Sequence, residues 1–171
     1  MNSLVVTNIL RTVFILAVQL LLLKRNLTLG AFNYVHITIY VVIIALLPYK
    51  LNRALTVLMG FGIGFFVDMF YDSLGVHAGA TTFIAYARYY VLQWLSPTEG
   101  YKTDSLTARA LGVPWLFTYL AILIFMHLLV LYALDAFSFV YFKEIALRTI
   151  FSFIASLFLV MFGMLIFNPK N

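Results

Sequence analysis

The sequence predicts an all-α integral membrane protein whose helices, about six in number, form one bundle. Apolar residues make up 64% of the 171 residues and charged residues only 10%, whereas a soluble globular domain is typically about 45–50% apolar and about 25% charged. The apolar residues also lie in long runs separated by short polar segments. A backbone surrounded by lipid must satisfy its own hydrogen bonds, and a helix does so within one segment. We therefore expect helices that cross a membrane.

Six apolar runs come close to the roughly 20 residues that are needed to cross the hydrocarbon layer. In chain order they are residues 4–23, 31–47, 54–71, 78–95, 113–134 and 145–167. Pro48 and Pro97 follow the second and fourth runs, and Pro114 stands in the first turn of the fifth, where a proline is tolerated.

The connections between the runs are too short to fold by themselves. The longest, residues 96–112, carries four charged residues and is expected to face water. Residues 136–142 are rich in aromatic side chains, and they either lie in the membrane interface or begin the sixth helix. The chain is therefore predicted to be a single polytopic membrane domain, residues 1–171.

The net charge of +5 does not indicate a nucleic-acid-binding protein. Lysine and arginine occur in scattered pairs near the ends of the apolar runs, where such residues anchor loops to lipid headgroups. A continuous basic stripe, which a nucleic-acid site needs, is not present in the sequence. Loops on the side of the N-terminus carry slightly more basic residues than loops on the opposite side. Because basic residues favour the cytoplasmic side, both termini are predicted to be cytoplasmic.

The sequence offers no catalytic motif. It has no cysteine, which excludes disulfides and thiol nucleophiles, and it contains no Gly-x-Ser-x-Gly, no HExxH and no suitably spaced pair of carboxylates. The first apolar run is too long for a cleavable signal and ends in Lys24 and Arg25 without a small-residue cleavage site. We expect no enzymatic activity, no metal and no cofactor.

The third predicted span carries glycines and an acid on one face. Gly60, Gly62 and Gly64 form a GxGxG sequence, and the GxxxG spacing of the first and last allows helices to approach closely. Asp68 follows Gly64 by four residues, so Gly60, Gly64 and Asp68 share a helix face. No strand precedes the glycines, which argues against a dinucleotide-binding motif. We expect the acid to point into protein.

Arg88 in the fourth span and Arg11 in the first are predicted to lie in the inner half of the membrane. With a rise of about 1.5 Å per residue, Asp68 lies about 5 Å, and Arg88 about 15 Å, from the outer ends of their helices. A direct ion pair between them is therefore not the obvious arrangement. Both arginines are expected to extend toward lipid phosphates; the alternative is that one of them caps a carbonyl or contacts a partner helix.

Histidines in the outer half offer a second possible centre. His127 is placed at a depth at which it could meet Asp68, and His36 and His77 lie in the same half. Aspartate and histidine in one cavity would suit a proton relay or a metal site. These residues come from different segments and lack a ligand spacing such as HxxxH, so hydrogen bonds to neighbouring groups are the simpler interpretation.

The region from the glycines to the fourth span resembles the rod shape-determining protein MreD family. That family has a glycine-bearing helix ending in an aspartate, a short Leu-Gly-x-His-Ala turn, and a helix with an Ala-Tyr step. The matching residues are Gly60, Gly64, Asp68, Leu74, Gly75, Val76, His77, Ala78, Ala85 and Tyr86. Arg88 and the aromatic content of 18% depart from the family pattern.

The resemblance implies a non-enzymatic scaffold of the bacterial inner membrane that acts in cell elongation and peptidoglycan synthesis. Its partner would be MreC, through a transmembrane helix and an ectodomain, with RodA, a class B penicillin-binding transpeptidase and MreB in the same rod complex. The family is considered similar in fold to the S-components of energy-coupling-factor transporters. The candidate binding or structural residues are Asp68, Gly60, Gly64, Gly75 and His77, together with Arg88, to which the resemblance assigns no role.

A small-molecule-binding component of a vitamin-type transporter is the alternative. Its pocket would lie in the outer half and use Asp68, His127 and His36. Such components typically present small residues at four-residue spacing on the first helix, where they dock their transport partner. In residues 4–23 only Ala17 is small and apolar, which favours the scaffold.

Overall fold

The computed structural model describes the backbone of residues 3–23, 35–137 and 139–167, which forms helices and loops without a strand. The helices are α1 (Ser3–Val18), continued by a π-helical turn (Gln19–Leu23), α2 (Val41–Ala45), α3 (Arg53–Tyr71), α4 (Val76–Trp94), α5 (Ala108–Leu111), α6 (Val113–Ala136) and, after a 3₁₀ turn (Phe139–Tyr141), α7 (Phe142–Phe167).

Three of these helices are long and apolar enough to cross a membrane, namely Arg53–Tyr71, Val113–Ala136 and Phe142–Leu165. They support the prediction of an all-helical membrane protein. The six-span bundle is not confirmed in the described part of the chain. Helix α4 has 19 residues but carries several polar side chains, among them His77, Thr81 and Arg88.

The second predicted span, residues 31–47, is not one continuous helix. Residues 35–39 are not helical, and α2 contributes only five residues before the chain turns ahead of Pro48. Side chains of other helices supply the backbone hydrogen bonds of residues 36–39, so this stretch is satisfied without a helix. The first four residues of the predicted span, 31–34, lie outside the described residues, as do Lys24, Arg25 and the side chain of Arg11.

Helix α4 is at the centre of the packing. It lies against α3 on one side and α6 on the other, while α6 also packs against α7 and the short α2 contacts both α4 and α6. The core between α2, α4 and α6 contains Tyr40, Ile84, Tyr119 and Leu123, none of which is exposed. The polar residues His77, Thr81 and Arg88 of α4 are therefore surrounded by protein.

The connection between α4 and α6 folds back onto the helix ends. Tyr101 donates its hydroxyl to the carbonyl of Leu92 at 2.7 Å, and Trp115 donates its indole N–H to the carbonyl of Leu95 at 2.9 Å. Burial raises the pKa of Tyr101 to about 12, so its hydroxyl keeps the donated proton at neutral pH. Leu106, which belongs to this connection, is buried. Only part of the connection therefore faces water.

Candidate functional site

Helices α3 and α4 approach each other closely at the glycines of α3. A Cβ atom on Gly60 would lie 2.6 Å from Ala85 Cβ, and a Cβ atom on Gly64 would lie 2.5 Å from the carbonyl oxygen of His77 and 2.6 Å from Ala78 Cα. Contacts this short are not tolerated, so a residue with a side chain would separate the two helices. The close packing that the GxxxG spacing predicts is present.

Asp68 lies one turn beyond Gly64 and caps the start of α4. Its Oδ1 accepts from the backbone N–H of His77 at 3.0 Å, and its Oδ2 accepts from the backbone N–H of Ala78 at 2.8 Å. The first N–H groups of a helix have no partner within the helix, and the positive end of its dipole favours a carboxylate. The acid points into protein, as its shared face with the glycines predicts, and its role in the fold is that of a cap supplied by the preceding helix.

The turn between α3 and α4 completes the environment of this carboxylate. Ser73 donates its hydroxyl to Asp68 Oδ1, and His77 Nδ1 lies 3.0 Å from the same oxygen. Gly75 precedes α4 with a φ of +84°, a conformation that only glycine adopts at little cost. Asp68, Ser73, Gly75 and His77 thus form one hydrogen-bonded turn, with Asp68 and His77 buried.

A cluster of aromatic rings lies beside this turn. The ring of His77 is 5.0 Å from that of Tyr71, 6.1 Å from that of Tyr40 and 6.4 Å from that of His36, measured between centroids. His77 Nε2 is buried and has no hydrogen-bond partner in the described part of the chain. The suggested contact of Asp68 with His127 is wrong: His127 Nε2 lies 2.8 Å from the hydroxyl of Tyr40, and the histidine that contacts Asp68 is His77.

Side chains from distant helices hold the non-helical segment 35–39. Gln19, in the π-helical turn, donates to the carbonyl of Ile37 at 3.1 Å and accepts from the N–H of Ile39 at 2.8 Å. Ser152 and Ser156 of α7 accept from the N–H groups of His36 and Thr38, both at 2.9 Å. Backbone without helical hydrogen bonds is tolerated at membrane depth only where protein satisfies it, and these three side chains do so.

Arg88 caps the other end of the same interrupted segment. It donates Nε–H to the hydroxyl of Tyr119 at 3.1 Å and Nη2–H to the carbonyls of Leu47 and Pro48. Tyr119 in turn donates to the carbonyl of Ala45 at 2.9 Å. Ala45 is the last residue of α2, and Leu47 and Pro48 follow it. The negative end of the helix dipole at this position favours a cation.

The expectation that Arg88 extends to lipid phosphates is wrong. The residue is only 3% exposed. Its guanidinium donates to the Tyr119 hydroxyl and to the two carbonyls that follow α2, all within the protein. The alternative interpretation, capping of carbonyls, describes its contacts.

Asp68 and Arg88 do not meet. Asp68 binds the start of α4 at His77, and Arg88 lies eleven residues further along that helix, a distance of about 16 Å.

Replacing Arg88 by lysine is expected to lower the free energy of unfolding by about 1–3 kcal/mol. A lysine keeps the charge but presents a single nitrogen, so it cannot serve Tyr119 and two carbonyls with the geometry of a guanidinium, and a buried carbonyl left without a donor costs about this amount. The measurement is denaturant unfolding in detergent micelles. Arg109→Lys in the exposed connection is the matched control, and equal stability of the two variants would contradict the capping role.

No metal centre is formed by the described residues. They contain no group of three or more histidine, cysteine, aspartate or glutamate side chains placed to hold an ion. Gln19, Ser152, Ser156 and Tyr119 were not among the sequence-predicted site residues. The two serines stand four residues apart in an apolar run, and Gln19 is, with Asn8, one of two side-chain amides in the first run. Their polarity is the signal that the sequence offers.

The fold and the site define a helical membrane protein whose buried polar groups cap helix ends and hold an interrupted segment. Comparison with protein-family models, with curated proteins and with solved structures finds no match.

Proposed function

We propose that the chain is a non-enzymatic scaffold of the bacterial cell-elongation complex that binds MreC, in the manner of the MreD family. In this proposal it resides in the inner membrane with both termini in the cytoplasm. It contributes to cell shape and peptidoglycan synthesis by holding MreC beside RodA, the transpeptidase and MreB. The resemblance of residues 60–86 to that family is the starting point.

The observation that carries the proposal is that the motif residues contact one another and form one structural unit. Gly60 and Gly64 allow α4 to approach, Gly75 shapes the turn, and Asp68 caps the helix that follows. Both oxygens of the carboxylate accept hydrogen bonds from the backbone of α4. A motif whose acid caps a helix of its own chain fits a protein that presents a surface.

Gly62, the middle glycine of the GxGxG sequence, suggests which surface meets the partner helix. Gly62 lies on the exposed face of α3, and a Cβ atom added to it would meet nothing within 4 Å. Its exposed neighbours on that helix include Leu58, Phe65, Phe66 and Met69. A small residue among bulky ones on such a face lets a second transmembrane helix approach closely. We place the transmembrane helix of MreC here.

Co-purification with MreC from the same genome tests the proposal. We expect the wild-type chain to recover MreC and Gly62→Leu to recover at least tenfold less, with unchanged thermal stability because the site is open. Gly163→Leu on α7, where a Cβ atom also meets nothing within 4 Å, is the matched control and should recover MreC normally. Equal recovery by both variants would remove the α3 face from the proposal, and no recovery by the wild type would contradict the function itself.

One observation favours the transporter alternative. In the non-helical segment 35–39, the ring of His36 lies against those of Tyr71 and His77. Interrupted helices line the substrate sites of many transporters. The exposed residues of the first helical segment, however, include Leu10, Val13, Phe14 and Leu21, which are bulky where a docking helix of that class has small residues. A vitamin-like molecule retained through purification and identified by mass spectrometry would reverse the ranking.

A further inference from the structure

A cavity lies between the end of α6 and the beginning of α7, far along the chain from the motif. Its volume is about 190 Å³, and the polar side chains that line it are Tyr132, Asp135, Tyr141, Glu144 and Arg148. Sites for drug-sized ligands usually occupy about 300–1,000 Å³. This cavity is smaller, so it suits a small polar group.

The charges around the cavity do not cancel. Arg148 donates Nη2–H to Glu144 Oε1 at 2.7 Å, whereas its Nη1 is 3.7 Å from Asp135 Oδ2, beyond hydrogen-bond distance. Two carboxylates thus face one guanidinium, and among the described residues this more distant contact is the ion pair that Asp135 makes. The excess of one negative charge favours a cation that can donate a hydrogen bond to Asp135.

The two tyrosines that line the cavity add a second property of ammonium sites. Aromatic rings attract cations through their negative faces, and the combination of rings with carboxylates is typical of sites for amines. Tyr132 is anchored, since its hydroxyl lies 2.7 Å from Ser152 Oγ. A primary ammonium can donate to the carboxylates, whereas a fully methylated ammonium cannot.

The position of the cavity indicates where such an amine would come from. The turn between α6 and α7 exposes apolar side chains, with Phe137 90%, Val140 87% and Phe142 70% exposed, and the charged residues Asp135 and Lys143 flank it. An apolar turn bounded by charges lies at the interface between hydrocarbon and headgroups. The groups available at that depth are lipid headgroups.

We propose that this cavity binds the primary ammonium of a phosphoethanolamine lipid headgroup. The carboxylates of Asp135 and Glu144 accept its hydrogen bonds, and Tyr132 and Tyr141 surround it. This inference is independent of the proposed binding of MreC.

The test compares the full chain in nanodiscs of phosphatidylcholine with and without phosphatidylethanolamine. We expect phosphatidylethanolamine to raise the thermal midpoint of the wild type in a saturable manner. Asp135→Asn and Glu144→Gln should each weaken this response at least tenfold in lipid concentration. Asp104→Asn and Glu99→Gln, which change exposed carboxylates in loop ion pairs, are matched controls and should respond like the wild type.

Three results would overturn the proposal. The first is an equal midpoint of the wild type in both lipid compositions, which requires no variant. The second is a loss of stability in Asp135→Asn that is the same in both compositions, because it would assign the carboxylate a purely structural role. The third is full stabilisation by free ethanolamine in phosphatidylcholine nanodiscs, which would show that the site takes a soluble amine in place of a lipid.

Discussion

Replacing Gly64 by alanine is expected to lower the free energy of unfolding by at least about 2 kcal/mol, within the range of overpacked cores. The new Cβ atom would lie 2.5 Å from the carbonyl oxygen of His77 and 2.6 Å from Ala78 Cα. Both are backbone atoms of α4, so no side chain can rotate away. The two helices would have to separate, and the hydrogen bonds that the N–H groups of His77 and Ala78 donate to Asp68 would lengthen.

Gly62→Ala is the matched control for this substitution. It lies two residues earlier in the same helix, and its Cβ atom would meet nothing within 4 Å. Alanine favours a helix over glycine by up to about 1 kcal/mol, so this variant should be as stable as the wild type or slightly more stable. Denaturant unfolding in micelles provides the comparison. If Gly64→Ala were as stable as Gly62→Ala, the close approach of α3 and α4 would be refuted.

Asp68→Ala is expected to lower the free energy of unfolding by about 2–3 kcal/mol. The substitution leaves the N–H groups of His77 and Ala78 and the hydroxyl of Ser73 without the acceptor that they have now. A hydrogen bond to a charged group contributes about 1.5–3 kcal/mol, and loss of a helix cap alone costs about 1 kcal/mol. Because the turn can partly rearrange after the substitution, we expect the total loss to stay close to that of one strong hydrogen bond, not of three.

The neighbouring acid supplies the control for Asp68. Asp72 is exposed and ends α3 in the left-handed conformation, with a φ of 55°. Asparagine also tolerates that conformation, so Asp72→Asn should leave stability unchanged. Asp68→Asn should lose less stability than the alanine variant, because its amide oxygen can still accept from one N–H group while its NH₂ group faces the other donor. Wild-type stability of Asp68→Ala would mean that the carboxylate does not cap α4.

These stability effects decide how binding experiments on the motif are to be interpreted. Loss of MreC after Asp68→Ala or Gly64→Leu would reflect a displaced α4 as readily as a lost contact, because both residues hold that helix. Gly62→Leu changes the exposed face of α3 and leaves the contact with α4 intact. Recovery of MreC by this variant therefore reports on the surface, and thermal stability reports on the motif.

Some features of the candidate site follow from spacing alone. The four-residue steps from Gly60 to Gly64 and to Asp68 place these residues on one face, and the structure has that face against α4. The identity of the groups bound by Asp68 does not follow from spacing, since it depends on the turn at Gly75 that brings His77 beneath the carboxylate. Arg88 is the clearest failure. Its depth was placed in the inner half of the membrane, but helix length gives no information on the carbonyls that receive its hydrogen bonds.

Hydropathy and residue spacing were enough to predict a helical membrane protein, a packing face with an inward acid on α3, and the starts of α3 and α6 to within one residue. These properties depend on transfer free energies and helix periodicity, which can be evaluated along a single segment. The interruption of the second span and the burial of Arg88 depend on how the helices pack together. Gln19, Ser152 and Ser156 satisfy residues 36–39 from helices up to 118 positions away in the chain. Hydropathy sums the free energy of transferring side chains into the membrane. Which polar groups meet, and so satisfy one another's hydrogen bonds inside the membrane, is determined by the geometry of several packed helices.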